Sequence, residues 1–99
     1  MSKVIKVVIK KSTKPKKKLM AVFTRENGRE KTTHFGAAGS SDFPTHKDKA
    51  RKKRYLDRHR ARENWSDPTS AGALSRWILW NKETREASIK DYKRRFNLK

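Results

Sequence analysis

Between Ala71 and Trp80 the chain reads AGALSRWILW, a run in which Ser75 and Arg76 are the only polar residues. A helix that is apolar nearly all round belongs at the centre of a fold, so the rest of the chain must close around this segment. Leu74, Trp77 and Ile78 are its expected core contacts, with Trp80 partly exposed or meeting another element. Ser66, Asp67 and Pro68 ahead of it suit a helix entry. The constraint is tight because so little else is apolar: of 99 residues, 32% are hydrophobic and 38% charged. A chain this short buries only about 60 to 65% of the surface its unfolded form exposes. One modest core, and therefore one small basic domain over residues 1–99, is what the length allows.

The first third alternates with the period of strands. In KVIKVVIKK, Ile5, Val7 and Ile9 fall on one side and Val4, Lys6, Val8 and Lys10 on the other, with β-branched residues throughout. Residues 11–18, KSTKPKKK, break that period and carry Pro15, which predicts a flexible basic loop. Leu19, Ala21 and Phe23 alternate again before Asn27-Gly28, a dipeptide that tolerates the two positive φ values of a type I′ turn, and a returning strand over Arg29–Phe35 completes a meander in residues 1–35. Two glycines, two serines and a proline make residues 36–46 a loop.

The remainder, residues 47–97, reads as helical. Thr45 and Asp48 have the spacing of a capping box, predicting a helix from about Lys47 to Asn64. At 100° per residue Tyr55, Leu56 and His59 share one face, and Lys47, Arg51, Arg54, Arg58 and Arg62 form a stripe beside it. After the apolar segment, Thr84 can cap a third helix with Ile89, Tyr92 and Phe96 on one face and Lys90, Lys93 and Arg94 opposite. The expected fold is α+β: a small N-terminal antiparallel sheet of about three strands followed by three α-helices.

Lys and Arg number 28 against 10 Asp and Glu, a net charge of +18, which a chain of this size cannot neutralise internally. The expected partner is polyanionic, nucleic acid before a membrane surface or an acidic protein. The charge is also sorted. Residues 1–18 hold eight Lys and no acid, and residues 47–62 hold nine basic side chains and two acids. Like charges at i and i+4 cost a few tenths of a kcal/mol per pair, a cost that phosphates offset through guanidinium contacts and counterion release. The residues expected to contact nucleic acid are Lys14, Lys16, Lys17 and Lys18 in the loop, Lys47, Arg51, Arg54, Arg58 and Arg62 in the stripe, and Lys90, Lys93 and Arg94 at the end. Double-stranded DNA is the expected ligand. Few amide side chains accompany these cations, so backbone contact fits better than base readout.

Other chemistries find little support. The absence of cysteine removes disulfides and thiolate sites and fits a reducing interior. His34, His46 and His59 lie too far apart in sequence for a short zinc motif, and Asp42, Asp48, Asp57 and Glu63 form no evident metal-binding pair. The glycines of residues 36–39 lack the Lys-Ser/Thr of a phosphate loop, and no serine has a matching histidine and acid. No cofactor, metal or catalytic residue is expected, and the chain reads as a non-enzyme. It carries no apolar run long enough to span a bilayer and no secretory leader, which predicts a soluble intracellular protein.

Three stretches, THFGAAGSSDFPTHKD, RKKRYLDRHRARENW and TSAGALSRWILWNKETREASIKDYKRRF, together resemble a family of short, basic, functionally uncharacterised proteins encoded by nucleocytoplasmic large DNA viruses, the giant-virus group. The likeness covers about residues 32–97, with ALSRWILWNK its most specific run, and the first thirty or so residues are where such relatives are expected to vary. It implies a viral origin and a setting in the virion or the cytoplasmic viral factory, with other virion proteins as further partners. It brings no catalytic residue. Genome packaging is then the expected role, and a minor capsid or internal scaffold protein that meets acidic protein or membrane surfaces is the alternative.

Overall fold

Two hairpins build the sheet. The computed structural model describes residues 3–39 and 42–99; Met1, Ser2 and, within the predicted loop, Ser40 and Ser41 lie outside the described residues. Strands β1 (Val4–Lys11), β2 (Lys17–Arg25) and β3 (Glu30–Ala37) pair antiparallel in the order β1-β2-β3. Alternation delivers Val7, Leu19, Ala21, Phe23 and Phe35 to one buried face. One residue breaks it: Val4 pairs with Arg25 and Lys6 with Thr24, so Ile5 is an extra residue in β1. That bulge turns Val4 toward the core and leaves Ile5 39% exposed, reversing the side predicted for both. The outer edge of β1 is partly covered by the chain's own end, since Val7 N–H donates to the Lys99 carbonyl at 3.0 Å and Lys99 N–H to that of Ile5 at 3.1 Å.

Both turns differ from expectation in detail. Gly28 has φ +84° but Asn27 does not enter the left-handed region, and Gly28 N–H donates to Arg25 O at 2.9 Å. The hairpin is therefore a type I turn closed by a left-handed glycine, not type I′. The basic loop is shorter than residues 11–18: Lys11 ends β1, and Lys17 and Lys18 begin β2. What remains is a bonded turn. Lys17 N–H donates to Lys14 O at 3.1 Å across Pro15, and Ser12 Oγ accepts from Lys14 N–H while meeting His34 Nδ1 at 2.7 Å.

Among the described residues four helical segments follow, one more than predicted. The extra one, α1 (Phe43–His46), lies in the expected loop, with Asp42 accepting from Thr45 N–H and Pro44 in the first turn. Lys47, at φ 54°, ends it. Helix α2 therefore starts at Lys49, with Asp48 capping Ala50 and Arg51, and closes at His59. Lys47 and Arg62 are not part of it, and Thr45 belongs to the preceding turn. The apolar segment is α3 (Ala71–Leu74) continuing without a break into a π-helical stretch, Ser75–Leu79, closed by Trp80 N–H donating to Ser75 O at 3.0 Å. The wider turn buries Ala73, Leu74, Ile78 and Leu79 and leaves Trp77 half-buried. Helix α4 (Arg85–Arg95) is capped by Thr84 as expected, with Tyr92 fully buried and Ile89 and Phe96 packed against the core. The fold is α+β, with the π stretch and α4 closing one face of the sheet.

Candidate nucleic-acid interface

Helix α2 is held by one face only. Tyr55 is its buried residue, stacked between His59 at 4.2 Å and Trp80 at 4.4 Å. Burial pushes the Tyr55 phenol well above its ordinary range, with the Glu63 carboxylate adding to the shift. Lys52 closes the other side, donating to the Asn81 carbonyl at 2.7 Å and lying 4.9 Å from the centre of the Phe43 ring. Burial lowers the Lys52 ammonium, and nearby Arg76 lowers it further.

Apart from the half-buried Leu56, the rest of α2 faces solvent. Arg51, Arg54 and Arg58 are exposed, and among the described residues their side chains make no hydrogen bond or ion pair. The two acids of the same stretch are already engaged: Asp48 accepts from the Ala50 and Arg51 amides, and Asp57 pairs with Lys53 at 2.9 Å. Asp42, Glu63, Asp67 and Asp91 are also tied into internal hydrogen bonds, while Glu26, Glu30, Glu83 and Glu86 are exposed, so ten acids, six of them engaged by the fold, leave most of the 28 cations to solvent.

The predicted set divides accordingly. Lys14, Lys16 and Lys17 are exposed, and Lys17 lines a groove of about 390 Å3 that Tyr55, His59 and Glu63 also line. Lys18 does structural work, its ammonium 3.0 Å from the buried Asp42 carboxylate. Lys47 is exposed and donates to Pro44 O, and Arg62 is exposed in the turn after α2. On α4, Lys90 is exposed, Lys93 is half-buried, and Arg94 pairs with Asp91 at 2.6 Å.

The three histidines serve the fold. His34 meets Ser12, His46 accepts from Asp48 N–H and packs on Trp80, and His59 Nδ1 lies 2.7 Å from Glu63. Glu63 also accepts from Trp65 Nε1, and it lies so close over α3 that a Cβ on Gly72 would come within 2.9 Å of its carboxylate. No cluster of metal-ligating side chains occurs among the described residues, and no helix there is long and apolar enough to cross a membrane.

Sequence reasoning missed three cations. Lys10 and Lys11 from β1 and Arg85 from α4 meet Lys18 around a second cleft, of about 490 Å3. Arg85 carried a usable signal: it directly follows the Thr84 cap, in the first turn, where the helix dipole favours acids.

Residues 7–59, more than half of the 99-residue chain, match the model of a family of unknown function, DUF5754. The chain belongs to this family. The DUF5754 stretch runs from β1 to the last residue of α2, so it takes in the sheet, the basic turn and the arginine-bearing helix and stops short of α3. Neither a curated protein nor a solved structure matches the chain.

Proposed function

We propose that this chain is a non-enzymatic nucleic-acid-binding protein that contacts the phosphate backbone of duplex DNA without strong sequence preference, as a genome-packaging protein or virion component in the viral particle or factory. One observation carries the reading: Arg51, Arg54 and Arg58 project from α2 with every acid of that helix engaged elsewhere. Unpaired guanidinium groups on a rigid helix match phosphate oxygens in charge and fork geometry. The sequence of α2, KARKKRYLDRH, contains no Asn or Gln, so the amide side chains that read adenine edges are missing from it. Lys17 lines a groove with the α2 residues Tyr55 and His59, and Lys14 and Lys16 are exposed in the adjoining turn, so the basic turn is a second place for phosphate contact in this reading.

The test is titration of two unrelated duplexes, a single strand and anionic vesicles at several salt concentrations. Comparable affinity for both duplexes, falling steeply with salt, supports backbone binding. Binding to vesicles without binding to duplex would replace this reading with that of a particle structural protein.

A further inference from the structure

The cleft between the β1–β2 hairpin and the start of α4 gathers more positive charge than its one acid neutralises. Lys10 and Lys11 from β1, Lys18 from β2 and Arg85 from α4 line it together with the apolar Ile9 and Ile89. The single acid in its lining is Asp42, which is 1% exposed. Its Oδ1 accepts from the Thr45 amide at 3.2 Å and the Thr45 hydroxyl at 2.7 Å. Its Oδ2 lies 3.0 Å from Lys18 and 4.0 Å from Arg85. One saturated carboxylate thus faces four cations, and Lys10 and Lys11 remain exposed.

Two features set this cleft apart from an ordinary charged surface. Asp42 holds Lys18 and draws Arg85 toward the cleft before any ligand arrives, so part of the ordering cost of binding is already met. Arg85 also occupies the first turn of α4, where a cation is disfavoured by the helix dipole, so helix stability does not account for it.

We infer that this cleft holds a phosphate group of a nucleic-acid strand, with the attached sugar against Ile9 and Ile89. A tetrahedral oxyanion offers enough acceptors for the Lys11 ammonium and the Arg85 guanidinium fork, with Lys18 held beside them by Asp42 and Lys10, on the other face of β1, adding charge at the edge. The cleft is larger than one phosphate, and Ile9, Leu19 and Ile89 are among its lining, which suits a sugar phosphate better than a bare inorganic ion. Identifying the ligand as nucleic acid rests on the proposed function. The phosphate chemistry does not, because a free polyphosphate presents the same group.

The experiment compares wild type, a Lys11→Gln/Arg85→Gln variant, a Lys10→Gln/Lys11→Gln variant and an Arg51→Gln/Arg54→Gln/Arg58→Gln variant. Each is assayed for duplex affinity and for the rise in melting temperature caused by sodium tripolyphosphate over sodium sulfate at equal ionic strength. Both cleft variants are expected to lose the tripolyphosphate-specific rise and to bind duplex roughly tenfold more weakly. The α2 variant is expected to keep the rise while losing duplex affinity. Because Lys10 and Lys11 are exposed and their side chains make no hydrogen bond or ion pair among the described residues, their variant keeps the test valid if Arg85→Gln disturbs the fold. Cleft variants that match wild type in both assays overturn the inference and leave the proposed function standing. A wild type that responds to tripolyphosphate through the cleft but binds no nucleic acid overturns the proposed function and leaves a free-polyphosphate site.

Discussion

Tyr55 lies flat on Trp80, with ring centroids 4.4 Å apart and planes inclined by 6°. Few contacts join α2 to the body of the protein, and this stack, with the Lys52 hydrogen bond to Asn81, is central among them, so the position of the arginine row depends strongly on one aromatic pair. Tyr55→Ala is expected to cost about 2 to 3 kcal/mol and Tyr55→Phe about 1 kcal/mol, since the latter loses only the hydroxyl contact with Ser75. A double-mutant cycle with Trp80→Ala, read by urea unfolding, should give a coupling of about 0.5 to 1.5 kcal/mol. Additive single effects would show that something else docks the helix.

Lys18 and Asp42 tie β2 to the segment that leads into α1. Burial alone would raise the Asp42 carboxyl, but hydrogen bonds from Thr45 and Lys18 outweigh it and hold the group below the usual carboxylate range. Lys18→Met leaves that carboxylate buried with a weakened shell, at an expected cost on the order of 2 to 3 kcal/mol. Deletion of residues 11–18 removes the same lysine together with paired residues of both strands and should abolish the fold, whereas Lys14→Gln/Lys16→Gln should leave it intact. Circular dichroism decides between them: a folded deletion variant would show that the hairpin is dispensable.

The contrast shows what was legible in the sequence. Period-two alternation gave the three strands, and the Thr84 cap gave α4, because those signals are local. The Ile5 bulge was not legible, since it arises from pairing with Arg25 and Thr24 and from Lys99 bonding the outer edge of β1. Nor was the burial of Trp77, whose indole donates to Trp65 O and lies 4.1 Å from the Arg76 guanidinium and 3.9 Å from that of Arg95. Its half-buried setting follows from the π turn, which no residue pattern announces. Arg51, Arg54 and Arg58 could be picked out because helical spacing sorts charge. The cleft of Lys10, Lys11, Lys18 and Arg85 could not, because only tertiary packing brings β1 to the start of α4.

Asp91 gives the fold an acid-sensitive point. Its side chain is buried, and the hydrogen bond from Arg94, opposed by burial and aided by Asn81 and Arg95, lowers its pKa from 3.8 to about 2. A pKa lower in the folded state means the stabilisation is fully present above the unfolded value and is lost as pH falls from about 4 through about 2. With Arg94 exposed and screened, the contribution is on the order of 1 to 2 kcal/mol. In urea unfolding at pH 5 and pH 2, Asp91→Asn should shrink the stability difference by about that amount. An unchanged difference would place the acid sensitivity in other carboxylates.

The arginine row gives the most direct reading of function. Replacing Arg51, Arg54 and Arg58 with Gln keeps helix propensity nearly constant while relieving like-charge repulsion, so stability should hold or rise slightly. On duplex DNA each phosphate contact contributes about 0.9 to the slope of log K against log salt, so removing three should flatten the slope by roughly 2 to 3 units, equally on unrelated sequences. Arg62→Gln should add less, because Arg62 sits beyond the end of α2 and is not fixed in the row. Loss on one sequence alone would point to base readout. A slope that does not move while the variant stays folded would take α2 off the binding surface and leave the basic turn and the α4 cleft as the remaining places for phosphate to bind.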